Sequence, residues 1–480
     1  MLKNKSLIGC LLIGKLLTLL VLALFGTHNA FAFDVLNENI VVDSAMMHYP
    51  KVYISQQKVE IAEAKFKEAR GGFDTTLNVK NRHFASGYYE DTGYLESTVS
   101  KPLPFLNAKV YSGYTRSYNG DYPEINQYYN TRSDGRAIFG FEVSLLRGFL
   151  TNERNAIRDI SKLDINIAKH SNNLMQAQVK ADARKAYWRY FYLTKILKLY
   201  EHGLDVAIKR QNALEIQVKN GDKAEIVLAE NRRVVLRRQT LIENVKREML
   251  NNVVNLTMFL RLADGELYTP ELILSKKIKE QEFFSQEKPP IIKHNFDDIL
   301  THRLDIKISE ILIKQNNIKL KLAKNNILPT VDLAVETSKD YGTGVIQKEH
   351  RLNKVSVNVT VPLENRKQIG KYSSVKAEKS VIQNEIRLLK DYVTNEIKMV
   401  VNRIKETQQV FENTQEEIML AKKLLDAENI RFKNGDSDFF MVNAREQDLL
   451  NVEEFNIRNK LLLTEMLIEY QFITKDSVGG

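Results

Sequence analysis

The residues of this chain that are best suited to bind a metal or to transfer a proton are its eight histidines. They stand at positions 28, 48, 83, 170, 202, 294, 302 and 350, and no two of them have the spacing of a metal-binding pair. The chain also has no P-loop, no dinucleotide-binding glycine fingerprint and no nucleophile elbow. The sequence therefore predicts a protein that is not an enzyme, with no catalytic residue, no cofactor and no metal site.

The N-terminus has the three parts of a secretory signal peptide. Two lysines precede a mostly apolar stretch at 7–25, and Ala30-Phe31-Ala32 supplies a small-x-small cleavage site. We expect cleavage to remove residues 1–32; the alternative is an uncleaved membrane anchor. Cys10 is the only cysteine, so the mature chain is predicted to have no disulfide and no cysteine-bound metal.

Charge and hydropathy restrict the possible partners. The formal net charge of +10 is spread along the chain, without the concentrated basic surface and stacking aromatic residues that bind nucleic acid, so nucleic acid is not an expected partner. Beyond the signal peptide, no stretch has the roughly 18 consecutive apolar residues that a spanning helix needs. A mature chain in a membrane would therefore have to cross it as a β-barrel.

Proline positions define two long helical regions. None of the nine prolines lies in 152–262 or in 366–472, and proline costs about 3 kcal/mol inside a helix. Each region contains an Asn-Gly turn signal in the same tetrapeptide, Lys219-Asn220-Gly221-Asp222 and Lys433-Asn434-Gly435-Asp436. Each region is therefore predicted to be a helical hairpin with its tip at this turn, and the chain to be an internal duplication.

The two arms of each hairpin differ in length. The long helices are predicted at 152–219 and 366–434, and the return arms at 222–262 and 438–472. Shorter helices at 44–71, with a kink or restart at Pro50, and at 298–327 could stack end to end on the return arms. On the second long helix, apolar residues seven positions apart predict a left-handed coiled coil. They are Ile397, Ile404, Phe411, Ile418, Leu425 and Phe432, with Ile386, Val393 and Val400 beside them.

Alternation of apolar with polar residues predicts four main β-strands. They lie near Leu77 and Val79, at 137–145, at 331–335 and at 355–361. The pattern is typical of a barrel with lipid outside and water inside, although a soluble sheet with one buried face gives the same alternation. The signal peptide and the long helices favour the barrel. Four strands cannot close a barrel alone, so the chain would have to oligomerise, and three copies would supply 12 strands.

Residues 88–135 interrupt the strand pattern of the first half. The segment is rich in Tyr, Asn and Gly, and 109–114 suggest an extra strand. We predict that most of the segment is an extracellular loop or hairpin. Its tyrosines would form either an aromatic belt at the membrane interface or ordinary loop aromatics.

Several motifs, in their order and spacing, resemble the TolC-like outer-membrane efflux factor family over nearly all of the mature chain. They are Gly71-Gly72-Phe73-Asp74, Leu145-Leu146-Arg147-Gly148, Arg303-Leu304-Asp305-Ile306, Leu328-Pro329-Thr330-Val331, Val357-Asn358-Val359-Thr360-Val361-Pro362-Leu363 and Arg431-Phe432-Lys433-Asn434-Gly435. The resemblance implies a mainly α-helical homotrimer with a 12-stranded barrel in outer-membrane lipid and a periplasmic tunnel of antiparallel coiled-coil hairpins. The corresponding division is two repeats at 33–262 and 298–473, an equatorial linker at 263–297 and a C-terminal tail at 474–480.

The resemblance also implies partners and a function. The tips would meet a periplasmic adaptor protein and, through it, an inner-membrane pump. The tip residues are Lys219, Asn220, Gly221, Asp222, Lys433, Asn434 and Gly435. The expected function is passive conduction of cargo to the exterior in tripartite efflux or type I secretion. A secreted or surface-anchored trimeric coiled-coil scaffold or adhesin without a pore is the alternative, but it explains the strands in both halves poorly.

One stretch departs from the family pattern. Some members carry two aspartates three residues apart just after the second tip glycine, and these form acidic rings that constrict the pore. Here the stretch is one residue shorter, and Asn443 stands where the later aspartate would be. Asp436 and Asp438 could replace the rings, or Phe439 and Phe440 could form an apolar constriction. The alternative is that both aspartates are turn and N-cap residues.

Overall fold

The computed structural model describes residues 35–85, 91–118, 131–262, 265–279, 296–343 and 351–478. The predicted signal peptide lies outside these residues, as do parts of the 88–135 segment and of the predicted linker. The helices are α1 (Glu38–His48), α2 (Pro50–Gly71), α3 (Glu153–Lys219), α4 (Glu225–Thr257), α5 (Pro270–Leu274), α6 (Phe296–His302), α7 (Leu304–Asn325), α8 (Arg366–Asn434) and α9 (Phe439–Gln471), followed by a π-helical turn at Phe472–Asp476. The strands are β1 (Val35–Leu36), β2 (Thr76–Phe84), β3 (Thr92–Pro102), β4 (Lys109–Tyr118), β5 (Arg136–Ser144), β6 (Lys277–Ile278), β7 (Thr330–Asp340) and β8 (Leu352–Thr360).

The long helices confirm the proline-based prediction. Helix α8 spans the predicted residues, and α3 begins one residue later than expected. The predicted interruption near Pro50 is also confirmed, because α1 ends at His48 and Pro50 is the first residue of α2. A proline fits that position, since the first N–H groups of a helix have no intrahelical acceptor. None of the described helices is both long and apolar enough to cross a membrane.

The chain divides into two compact units, and each takes residues from both predicted repeats. The first unit consists of the residues up to Ser55 together with 173–302 and 393–480. The second consists of 56–172 and 303–392. Three of the four unit boundaries fall within α2, α3 and α8, and the fourth lies between α6 and α7, whereas the large sheet belongs entirely to the second unit.

An aromatic cluster on α3 forms part of the core of the first unit. Tyr187, Trp188 and Phe191 are buried, and the Trp188 and Phe191 rings meet edge to face with centroids 5.2 Å apart. The indole Nε1 of Trp188 donates to Glu38 Oε2 on α1 at 3.0 Å, which satisfies the one polar atom of the ring. Burial, and after it the nearby Glu38 carboxylate, raises the pKa of Tyr187 to about 12.

The seven-residue stripe of α8 is the side of the helix that packs in the first unit. Its members from Val393 to Ile404 are buried, and those from Phe411 to Phe432 are half-buried. Polar contacts show that α9 runs antiparallel to α8, because the contacting residues on α9 have lower residue numbers as those on α8 have higher ones. The contacts join Thr407 to Met466, Gln415 to Asn456 and Lys422 to Glu453.

The sheet of the second unit corrects the predicted number of strands. It has six antiparallel strands in the order β2-β3-β4-β5-β7-β8. The count of four, on which the predicted total of 12 rested, is wrong because the 88–135 segment supplies β3 and β4. On the apolar side of this β-hairpin, Ser97 lies between Leu95 and Val99 on β3, and Ser112 follows Val110 on β4. This weakens the alternation on which strand prediction depends.

Candidate functional site

The two tips of the helical hairpins have the same construction. Gly221 and Gly435 have φ angles of +85° and +84°, in the left-handed region where glycine ends a helix without strain. The N–H of the residue after each glycine donates to a carbonyl oxygen of the preceding helix. The distance is 2.8 Å from Asp222 to Gln217 at the first tip and 2.9 Å from Asp436 to Arg431 at the second. The predicted tip residues, which are Lys219, Asn220, Gly221, Asp222, Lys433, Asn434 and Gly435, are all exposed.

The tip geometry predicts opposite effects for two glycine substitutions, one directly after the end of α8 and one within the helix. Gly435→Ala is expected to lower the free energy of unfolding by about 1 kcal/mol, because an L-residue is strained at this φ. Gly370 is the matched control, since it is exposed within the helix and nothing lies within 4 Å of an added Cβ. Gly370→Ala should raise the free energy of unfolding by about 0.5–1 kcal/mol. Thermal unfolding of the purified variants measures both changes, and a shift of the same sign in both would contradict the tip geometry.

The two aspartates of the predicted constriction are both exposed at the second tip. Asp438 is the N-cap of α9, and its Oδ1 accepts a hydrogen bond from the Met441 N–H at 2.9 Å. Asp436 lies in the turn itself, where its carbonyl oxygen accepts from Arg431 Nη2 at 3.1 Å. The capping role is thus confirmed for Asp438. An exposed cap leaves its charge in contact with solvent, so this role is compatible with one in ion passage.

The remaining predicted constriction residues have different environments. Phe440 is exposed, whereas Phe439 is buried with the Arg210 guanidinium 5.4 Å from its ring centroid. Asn443 Oδ1 accepts from Arg210 Nη1 at 2.7 Å. Within one chain, Phe439 and Asn443 therefore hold α9 against α3, and Phe440 is the aromatic residue that faces solvent.

Arg210 also belongs to a buried ionic network that we did not predict from the sequence. Glu446 on α9 accepts from Arg210 Nη1 at 3.1 Å and from Arg238 Nη2 at 2.9 Å. Arg238, on α4, is only 2% exposed and Glu446 is 9% exposed. Arg238 donates in addition to the carbonyl oxygen of Gly203. One carboxylate therefore joins the first helical hairpin, through both of its arms, to the second. We call Arg210, Arg238 and Glu446 the Arg-Glu-Arg network.

A second contact between the hairpins lies at the tips themselves. The Lys223 ammonium, just after the first tip, is 5.7 Å from the ring centroid of Phe432, just before the second tip. Within the first hairpin, the buried Asn231 donates to Gln211 Oε1 at 2.7 Å. The region behind the tips is thus held by charged and amide side chains as well as by apolar ones.

In the second unit, the six-stranded sheet has one apolar and one polar face. Ten large apolar side chains of the apolar face are each at least 42% exposed: Leu77, Val79, Leu95, Val99, Tyr114, Phe139, Val335, Val355, Val357 and Val359. The other face carries charges of both signs, namely Lys80, Glu96, Lys109, Arg136, Glu142, Glu336, Asp340 and Lys354. Ion pairs cross this polar face, with 2.7 Å between Lys109 and Glu142 and 3.1 Å between Arg136 and Asp340. An apolar surface of this extent indicates contact with lipid or a partner.

Within the described ranges, no group of three or more His, Cys, Asp or Glu side chains is placed to hold a metal ion.

Comparison with known proteins gives matches of structure only. No protein-family model and no curated protein matches the sequence. The CmeC outer membrane channel of Campylobacter jejuni is 12% identical with a TM-score of 0.66, over 92% of this chain and 86% of that one. The outer membrane protein VceC from Vibrio cholerae is 14% identical with a TM-score of 0.66, over 92% and 96%. The MtrE outer membrane channel of Neisseria gonorrhoeae, in its open state, is 11% identical with a TM-score of 0.63, over 90% and 88%. The chain therefore has the fold of the TolC-like outer-membrane efflux channels.

Proposed function

We propose that this chain is the outer-membrane subunit of an export duct. Three copies would place their sheets in the outer membrane, with the apolar face against lipid and the charged face towards a water-filled lumen. The helical hairpins would form the periplasmic tunnel. The observation that carries the proposal is a sheet with an exposed apolar face and a charged face, in the same chain as two long helical hairpins.

The duct would conduct cargo passively, in tripartite efflux or type I secretion. No nucleotide-binding motif is present in the sequence, so the energy would come from an inner-membrane pump. The exposed tips around Gly221 and Gly435 are the surfaces that we assign to a periplasmic adaptor protein. The fold shared with outer membrane channels supports this assignment.

Opening would require the helical tips to move apart, near residues 210–225 and 425–445. Such a movement has to separate Glu446 from Arg210 and Arg238, and Lys223 from Phe432. These contacts link the two hairpins in the structure. We therefore propose that these contacts stabilise the closed state, in which the helical tips lie together.

Single-channel conductance of the purified trimer in a planar bilayer tests the proposal. We expect discrete, cation-selective steps in potassium chloride. Asp436→Asn with Asp438→Asn should reduce the cation selectivity, because the change removes two exposed carboxylates from each copy. Asparagine caps a helix as well as aspartate does, so α9 should keep its N-cap. Asp222→Asn removes an exposed carboxylate from the equivalent turn position of the first tip, so its effect on the selectivity tells whether the acidic entrance belongs to the second tip alone.

The outcomes separate the function from its details. If the cation selectivity of the conductance steps does not change when Asp436 and Asp438 are replaced, the duct is supported and the acidic entrance is rejected. A folded trimer that neither inserts nor conducts would reject the duct and favour the scaffold or adhesin without a pore.

A further inference from the structure

We infer that the β3–β4 hairpin is part of the barrel wall, so that the duct closes with 18 strands and admits hydrated cargo too wide for a 12-stranded barrel. The inference rests on the proposed trimeric duct. It assigns to one segment of this chain, residues 92–118, the control of the size limit at the outer-membrane end.

The position of the hairpin within the sheet is the first argument. Strand β2 pairs with β3 along the whole length of β2, and β4 pairs with β5. Among the described strands, β2 pairs with β3 alone. The hairpin therefore cannot fold away from the wall as a surface flap without detaching β2 from the sheet.

A tyrosine that crosses a glycine fixes the hairpin laterally. The Tyr111 ring on β4 lies over Gly140 of β5, where an added Cβ would be 2.1 Å from the Tyr111 Cζ atom. Because glycine leaves this space open, the Tyr111 hydroxyl reaches the next strand and donates to Glu336 Oε2 on β7 at 2.8 Å. The hydrogen bond thus ties the hairpin to a strand of the second half of the chain, across the polar face.

The turn of the hairpin is also anchored. Leu106 and Asn107 both have positive φ angles, 56° and 47°, which makes the turn tight. Asn107 Nδ2 donates to Ser144 Oγ at 3.0 Å, and Ser144 Oγ donates to Asp332 Oδ1 at 2.7 Å. On the other side of the turn, Asn155 Nδ2 of α3 donates to the carbonyl oxygen of Pro104 at 3.1 Å. A mobile surface loop would not need this chain of contacts to β5, β7 and α3.

The two faces of the sheet continue through the hairpin. Leu95 and Val99 of β3 and Tyr114 of β4 lie on the apolar face. Glu96 lies on the polar face opposite Lys80, and Lys109 lies there opposite Glu142. Both new strands therefore meet the requirements of lipid on one side and water on the other.

The edges of the sheet allow closure with six strands from each copy. Strands β2 and β8 form its two edges, each has nine residues, and an even number of alternating strands makes them run in opposite directions. The β8 strand of one copy can therefore pair antiparallel with β2 of the next around a ring. Barrel diameter grows roughly in proportion to strand number, so 18 strands give a lumen about 1.5 times as wide as 12.

Electron cryomicroscopy of the full-length trimer in lipid nanodiscs tests the wall directly, and polymer exclusion tests its consequence. We expect 18 strands in the ring. Poly(ethylene glycol) of graded size is added only on the barrel side of the bilayer, so that the tips do not limit its entry. A variant that lacks residues 92–118 is the comparison, because β2 ends and β5 begins at the same end of the sheet. It should close with 12 strands. The smallest polymer that it excludes should then have a radius about 1.5 times smaller than the smallest polymer that the full-length protein excludes.

Each outcome decides the inference. A ring of 12 strands in the full-length protein, formed by two copies or with the hairpin outside the wall, would overturn the inference. The inference would also be overturned if the full-length protein and the shortened variant excluded polymers of the same size. If the shortened variant does not fold, the strand count of the full-length ring decides alone. A closed 18-stranded ring that carries no current would support the wall and reject the export duct, so the two failures are distinguishable.

Discussion

Glu446→Gln is expected to lower the free energy of unfolding of the helical unit by about 3–5 kcal/mol, the cost of breaking a buried ion pair from one side. In the part of the chain that the structure describes, Glu446 is the side chain that joins both arginines of the Arg-Glu-Arg network. Its neutralisation leaves Arg238, which is 2% exposed, as a buried cation without a carboxylate partner in the network. Thermal and urea unfolding of the purified protein, followed by circular dichroism, would measure the loss.

Glu243→Gln provides the matched control for this change. Glu243 lies on α4, pairs with Lys246 one turn away and has a side chain that is 71% exposed. Exposed pairs of this kind contribute about 0.3–0.5 kcal/mol, so the control should be nearly as stable as the parent. Replacing Arg238 and Glu446 together by methionine should recover part of the loss, since no unpaired charge then remains at Arg238. Equal losses for the Glu446 and Glu243 variants would show that the network does not stabilise the hairpins.

Cross-linking the two tips is expected to abolish most of the single-channel current in potassium chloride. Cysteines in place of Lys223 and Phe432 would lie within reach of a short bis-maleimide, because the Lys223 ammonium is 5.7 Å from the Phe432 ring centroid. If opening separates the tips, the covalent link prevents it. Cys10 is the only native cysteine and belongs to the predicted signal peptide, so the reagent should have no other target in the mature chain.

The control for the cross-link ties one helix to itself. Asp205 and Lys209 lie one turn apart on α3, with 2.6 Å between Lys209 Nζ and Asp205 Oδ2. Cysteines at these two positions, treated with the same reagent, should leave the current unchanged. A linker with a cleavable disulfide should restore the current of the tip variant on reduction. An undiminished current after complete cross-linking of the tips would refute the separation of the tips as the opening movement.

The helical part of the fold was predictable because its signals are local. The Asn-Gly turns mark the tips, and Pro50 marks the break between α1 and α2. The stripe through Ile397 and Ile404 identifies the packed side of α8 without knowledge of its partner. Each of these signals depends on residues that are close together in the chain. The sequence of one protein is therefore enough to detect each signal.

The β3–β4 hairpin and the Arg-Glu-Arg network depend on residues that are distant in sequence. Tyr111 on β4 donates across β5 to Glu336 on β7, and the spacing of these two residues in the chain carries no local pattern. Arg238 and Glu446 each occupy a helical position that is indistinguishable in the sequence from a solvated one. Their burial follows from the meeting of two hairpins, which is a property of tertiary packing. The residues that we assign to holding the tips were therefore beyond a sequence-based prediction.

The open edges at β2 and β8 also determine how the protein must be made. In water, an unpaired sheet edge beside an exposed apolar face pairs readily with other chains. In hydrocarbon, each unsatisfied backbone group costs several kcal/mol. In the proposed duct, a single copy therefore has no favourable environment for its sheet, and completing the sheet would require contact with other copies. By mass action, the yield of native protein should rise steeply with the local concentration of chains, and a factor that escorts the new chain would have to cover both edges until then.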